Sequence, residues 1–404
     1  MLSELNSEMR KHKLEGIMVL GESTVGNPEL FYVTRTHLVR GGVYIKKIDE
    51  DPCLIVDPTD ITSAKEGLVK NIKTFSDYGM EKIFSKYPPE KARVILFDKI
   101  IRSHKITGRI GIFGRVNVSR VVNLVDQLRR LGHRIIGEKR SPLLDVLRET
   151  KDSHEIENIK NVGLKTENVI KRTIDFLKKC KIVNRRLRFK NRKLTVKDVK
   201  RIIRTYLAEE NLVASEGIIF APGPNSANPH YMGQDSDLVT ANQPIIIDIF
   251  PQEIGGYCFD MTRTIVIGRA PPEIKRMHEA VLEAQEVAFD NLREGIQAEY
   301  IMHLVCDHFE KRGYKTMRDL LKGDKSAAIE GFTHPLGHGV GLATGESPAI
   351  GFFAKKKLRT GHVLAIEPAL YKPGLGGVRV EDIVAIKGDK IELLSNMDKS
   401  LEIC

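Results

Sequence analysis

The sequence predicts two domains: an α/β domain over residues 1–140 and an α+β domain over residues 150–404, with a helical linker over 141–180 that runs into the start of the second. Three observations carry this reading. The chain has 404 residues, whereas a single hydrophobic core stops growing near roughly 250–300 residues. The first third alternates short apolar runs with helix-length polar segments, as α/β layers do. Beyond residue 140 the apolar spacing changes to i, i+3, i+4, then to paired β-prone runs around glycine turns.

Taken in order, the N-terminal stretch MLSELNSEMRKHKLEG reads as an amphipathic helix with Leu2, Leu5 and Met9 on one face. Its charges recur every few residues and no apolar run ends in small residues, so it is not expected to be a secretory signal. Strands are expected at GIMVLG (16–21), GGVYIKKI (41–48), PCLIVDP (52–58), RVILFD (93–98), RIGIFG (109–114) and HRIIGE (133–138). This domain contains no GxGxxG, no Walker loop and no cluster of carboxylates and histidines. It is therefore assigned to scaffolding, oligomerisation or gating.

From Pro142 to Lys179, apolar residues such as Leu144, Leu147, Ile156, Ile159, Val162, Val169 and Ile170 fall at helical spacing. They predict a pair of long helices, the second capped by Asp152 or Ser153. A helix (195–209), a strand (217–223), a hairpin (244–267), two helices (272–293 and 298–312) and further strands (363–370 and 378–387) follow.

Hydrophobic residues at 41% and charged residues at 29% are ordinary for a globular chain, and no apolar run spans a bilayer. The five cysteines are scattered, odd in number and without CxxC spacing, which excludes a disulfide framework and a thiolate zinc site and points to the reducing cytoplasm. The formal charge of +11 is concentrated in the basic segment 178–206. That segment has no interleaved aromatics and no nucleic-acid-binding motif, so it is read as a solvated loop and helix face.

The chemistry is carried by two hairpins. In PIIIDIFPQEIGGYCFDMTRTIVIG, reflection about Ile254 places Asp248 opposite Asp260 and on one face. In HVLAIEPALYKPGLGGVRVEDIVAIK, reflection about Gly374 places Glu367 opposite Glu381, with Arg379 two residues before Glu381 on the same face. Like charges facing across apolar strands are destabilising unless a cation lies between them. A fifth donor is available in HPLGHGVGL (334–342), whose glycines allow close backbone approach and whose histidines supply imidazole. Four carboxylates and one histidine suit Mn²⁺ or Co²⁺, are compatible with Fe²⁺ or Zn²⁺ and disfavour copper. Two ions about 3.5–4 Å apart would hold a bridging hydroxide and polarise a carbonyl, which is hydrolytic chemistry.

Together PGPNSANPHY (222–231), DIFPQEIGGYCFDMTRT (248–264), HPLGHGVGL (334–342), IEPALY (366–371) and GVRVEDIV (377–384) resemble, in the same order, the pita-bread metallopeptidases. These are prolidase, aminopeptidase P, methionine aminopeptidase and the metal-free creatinase. The preceding α/β domain and the linker LLDVLRETKDSHEIENIK resemble the prolidase and aminopeptidase P branch. The resemblance implies a creatinase-like N-terminal domain and a pita-bread catalytic domain. It implies that Asp248 chelates one ion, that His338 and Glu367 bind the other, and that Asp260 and Glu381 bridge the two. It further implies that Glu367 takes a proton from the attacking water and that His230 steadies the substrate carbonyl. His334 and Arg379 are similar to the family's supporting histidine and arginine. Two departures stand out: Gly345 occupies the place of a second substrate-facing histidine, and the first hairpin loop is one residue longer than usual, a change expected to be confined to a turn or bulge.

The expected activity is thus hydrolysis of Xaa-Pro bonds, in dipeptides or at peptide N-termini, by a cytoplasmic and, by resemblance, homodimeric enzyme. The contrasting reading is a noncatalytic pita-bread protein that contacts nucleic acid, ribosome or a protein through segment 178–206. It is disfavoured because all five metal ligands are present. A hydrolase acting on another C–N bond is the third reading, since fold does not fix substrate.

Overall fold

The computed structural model describes residues 2–138 and 142–403. The expected junction at residues 140 and 141 and the cysteine at 404 lie outside the described residues. Two compact units are present, Met1–Arg148 and Glu149–Cys404. No helix among the described residues is long and apolar enough to cross a membrane.

In the first unit, α1 (Leu5–Lys11) buries Leu5 and Met9. It is followed by β1 (Gly16–Gly21), α2 (Pro28–Thr34), β2 (Gly42–Lys47), β3 (Cys53–Val56), α3 (Ile61–Glu66), β4 (Asn71–Thr74), α4 (Met80–Lys86), α5 (Pro89–Ser103), β5 (Arg109–Phe113), α6 (Val118–Arg130) and β6 (Arg134–Ile136). The strands form one mixed sheet in the order β4-β3-β2-β1-β5-β6. β1 pairs with β5 in parallel and with β2 antiparallel. β1 is buried along Ile17, Met18, Val19 and Leu20, which is why it reads as a continuous apolar run.

RVILFD is not a strand. It lies inside α5, where Ala92, Leu96, Phe97, Ile100 and Ile101 form the buried stripe. A short apolar run suits a strand or a buried helix equally, and here the 15-residue length and Pro89 in the first turn select the helix. The missed strand is β4, an edge strand with alternating exposed and half-buried residues and no apolar run.

The expected pair of long helices is one short helix, α7 (Leu143–Glu149), and one long helix, α8 (Ser153–Lys178). The Lys151 N–H donates to the Gly361 carbonyl at 2.8 Å, drawing the backbone out of helical bonding. Asp152 then restarts the helix through a capping box with Glu155.

The first part of the basic segment is also not a loop. β7 (Lys181–Val183), β8 (Arg186–Phe189) and β9 (Arg192–Lys193) form an antiparallel meander. Its two-residue turns, Asn184-Arg185 and Lys190-Asn191, hold all four residues at positive φ. Neither turn contains glycine, so the usual sequence signal for a tight hairpin is missing. α9 (Val196–Glu209) follows.

The remaining elements are β10 (Leu212–Val213), β11 (Ile218–Pro222), β12 (Pro244–Ile249), β13 (Gln252–Glu253), β14 (Met261–Ile267), α10 (Pro272–Asn291), α11 (Ala298–Lys311), α12 (Met317–Leu321), β15 (Gly337–Val340), β16 (Thr344–Ile350), β17 (Val363–Ile366), β18 (Ala369–Lys372), β19 (Gly376–Arg379), β20 (Asp382–Lys387), β21 (Lys390–Leu393) and β22 (Glu402–Ile403). They build a four-stranded sheet β11-β12-β14-β22 and a five-stranded sheet β16-β15-β17-β20-β21. α10 faces the core with Ile274, Met277, Val281, Ala284 and Ala288, and packs with Val305 and Phe309 of α11 against Leu364, Ile366 and Val384.

Candidate metal centre

In the first hairpin, β12 pairs with β14 so that Asp248 faces Thr262, not Asp260. The mirror point is Gly255, one residue beyond Ile254, because Gly255 takes the positive φ of 64° that the turn requires. A one-residue move of the centre shifts the register by two, which preserves the face. Asp260 immediately precedes β14, two residues from Thr262 on the same side.

The second hairpin has the expected register. β17 pairs with β20 and β18 with β19 about Gly374. Glu367 and Glu381 occupy the gap between the two ladders, which frees the neighbouring carbonyls of Ile366 and Val380. Gln285 of α10, fully buried, donates to both at 3.1 and 3.3 Å. The interruption that presents the two glutamates is thus sealed from behind.

His338 lies on β15, which is paired with β17. A Cβ at Gly337 would collide with the carbonyl oxygen of Ala365, so only glycine allows the strands to approach this closely. His338 Nε2 stands 3.7 Å from Asp260 Oδ2 and 3.7 Å from Glu367 Oε1. Its Nδ1 lies 3.1 Å from the Gly339 carbonyl. The Gly345 backbone N–H also donates to that Nδ1 at 3.2 Å, so the ring is held from this side while its Nε2 edge faces the carboxylates.

All eight residues selected from the sequence line one cavity of about 630 Å³. Within it, ligand atoms of Asp260, His338 and Glu381 fall within 4.8 Å of one another. Burial raises the carboxyl pKa of Asp260, and neighbouring Glu381 and Asp248 raise it further. Burial likewise raises Glu381, with Glu367 adding to the effect. Burial raises Asp248 too, although Arg379 opposes the rise. Arg379 Nη2 donates to Asp248 Oδ2 at 2.6 Å and its Nη1 to Tyr371 Oη at 2.6 Å. Burial lowers the pKa of His334, whose Nε2 lies 3.1 Å from Tyr371 Oη. His230 is exposed at the cavity wall, its backbone N–H donating to Asn228 Oδ1.

Two residues of this network escaped the sequence reading. Thr262 donates from Oγ1 to Glu381 Oε2 at 2.8 Å, and Tyr371 joins Arg379 to His334. The alternation Asp260, Thr262, Thr264 along one face was a usable signal for the first. Tyr371 lay within the quoted IEPALY, but its link to Arg379 depends on register.

The buried acceptors Asp248 Oδ1 and Asp260 Oδ1 have no hydrogen-bond partner among the described residues. Acceptors of this kind among mutually repelling carboxylates, beside an imidazole, fit divalent cations. Fold and donor set together define a metallohydrolase of the pita-bread type. The chain belongs to metallopeptidase family M24, which it matches over residues 157–388, more than half its length. It is 29% identical to the Xaa-Pro dipeptidase of Pyrococcus furiosus over 325 residues, covering 80% of this chain and 84% of that one. Among solved structures it is similar to an Xaa-Pro dipeptidase from Bacillus anthracis, with TM-score 0.78, 20% identity and coverage of 100% and 99%. It is also similar to an X-Pro aminopeptidase from Thermotoga maritima, with TM-score 0.76, 22% identity and coverage of 98% and 100%. At these identities the structural likenesses bear on the fold.

Proposed function

We propose that this chain is an exopeptidase that uses two divalent cations to hydrolyse the bond before proline, in dipeptides or at the N-termini of longer peptides. The observation that carries the proposal is the convergence of Asp248, Asp260, His338, Glu367 and Glu381 on one cavity. The substrate class is supported by the relationship to an Xaa-Pro dipeptidase.

In this reading those five residues hold the ions, and the hard donor set favours Mn²⁺ or Co²⁺. When bound, the ions polarise the scissile carbonyl and lower the pKa of the attacking water. Glu367, half-buried and facing the cavity, accepts the proton from that water and returns it to the leaving proline nitrogen. His230 donates a hydrogen bond to the carbonyl oxygen as it becomes negative. His334 is held by Tyr371 on the same wall. Arg379 fixes Asp248 and offsets its charge. A cytoplasmic location is part of the proposal, supported by the buried free thiols of Cys53, Cys180 and Cys306. A homodimer rests on the family resemblance alone.

The test is proline-directed cleavage of Xaa-Pro dipeptides and longer Xaa-Pro peptides by metal-stripped protein, with and without added Mn²⁺ or Co²⁺. Cleavage is expected only with metal and is lost in Glu381→Ala. Absence of cleavage from a protein that binds both ions would refute the substrate assignment.

A further inference from the structure

Resting on the reading above, we infer that the site is built for an N-terminal Xaa-Pro followed by further residues, and that the free dipeptide is the poorer substrate. In a dipeptide the proline carboxylate is three bonds from the scissile carbonyl carbon, within roughly 4.3 Å of it. It must therefore enter the cavity with the reacting bond. A carboxylate taken out of water needs a cation or several donors in place.

The described lining of the cavity offers a carboxylate no lysine and no uncommitted arginine. Arg379 is the sole arginine among those residues. Arg379 is committed: it is 3% exposed and donates to Asp248, Tyr371, Thr262 and the Pro229 carbonyl. Four ligand carboxylates and the nucleophile's negative charge balance two divalent ions and this guanidinium, which leaves no net positive charge for a substrate carboxylate. The fifth carboxylate of the lining, Glu216, is exposed and is held by a hydrogen bond from Thr344 Oγ1 at 3.2 Å. A proline carboxylate entering here meets an acid, not a base.

The same side of the cavity is open. Gly345, next to Thr344, also lines it, and a Cβ built on Gly345 meets nothing within 4 Å. A chain that continues past proline replaces the carboxylate with a neutral amide and has room to leave.

The experiment compares kcat/KM for Ala-Pro, Ala-Pro-NH₂ and Ala-Pro-Ala-Ala with the Mn²⁺-loaded full chain. The amide isolates charge from length. Ala-Pro is expected to be at least about tenfold poorer than both others. Glu216→Lys is expected to raise the Ala-Pro value at least about threefold while leaving the amide within about twofold. An Ala-Pro value equal to or above the amide's, or unchanged selectivity in Glu216→Lys, overturns the inference and leaves the Xaa-Pro reading intact. No cleavage of any of the three overturns that reading, and the inference with it.

Discussion

Arg379 and Asp248 form a buried ion pair at 2.6 Å, with Arg379 also joined to Tyr371. Removing one partner of such a pair strands the other charge in a low-dielectric site, at about 3–5 kcal/mol. Arg379→Ala is therefore expected to lower unfolding free energy by about that amount in urea titrations. Arg379→Lys keeps the charge but not the planar fork, so it should recover part of the stability and less of the activity. Equal stability of the Ala variant and wild type would show that Asp248 needs no cationic neighbour.

Gln285 shows how the glutamates are held. Its amide satisfies the Ile366 and Val380 carbonyls beside Glu367 and Glu381. Gln285→Leu leaves two buried acceptors unpaired, at about 1–3 kcal/mol each. The expected outcome is a lower melting temperature together with weaker Mn²⁺ binding by calorimetry. Loss of stability with unchanged metal affinity would limit Gln285 to packing.

Metal removal should reverse the pH dependence of stability at this site. The carboxyl pKa values of Asp248, Asp260 and Glu381 are raised in the folded chain, chiefly by burial. A folded acid with a raised pKa retains a proton that the unfolded chain releases, so its contribution is lost as pH rises from the unfolded value near 4 toward the folded one. Bound cations replace those protons. The gap in melting temperature between loaded and metal-free protein should widen from pH 5 to pH 8, by about 5 °C or more. A gap that stays constant or narrows would contradict the arrangement.

Gly345 can be tested by restoring the side chain that the family usually carries there. Its φ is +74° and a Cβ meets open space, so Gly345→His pays about 1–2 kcal/mol of backbone strain without a clash. A donor gained at the cavity wall is expected to raise kcat on the preferred peptide about tenfold or more. A lower melting temperature with unchanged kcat would mean that another group already fills that role.

The register of the second hairpin was legible because the turn about Gly374 and both ladders share one mirror point, but the expected strands 363–370 and 378–387 are each split by the break at Glu367 and Glu381. In the first, the face was readable and the partner was not, since the turn's centre depended on which of Ile254 and Gly255 takes positive φ. Asp248 consequently faces Thr262; the place of Thr262 on the Asp260 face was readable from the alternation, while its hydrogen bond to Glu381 depends on how the two hairpins meet. RVILFD failed for a different reason: four to six apolar residues carry no period that separates strand from buried helix. Gln285 and Tyr371 were out of reach because their roles arise from a ladder break and a cross-strand neighbour, which only tertiary structure creates.

The most direct measurement is the stoichiometry and affinity of Mn²⁺ binding to metal-stripped protein by calorimetry, for wild type, His338→Ala and Glu381→Ala. Two ions per chain are expected for wild type, with one site weakened at least about tenfold in His338→Ala and both weakened in Glu381→Ala. A wild-type chain that binds one ion or none, or two ions unaffected by either substitution, would contradict the proposed dinuclear centre.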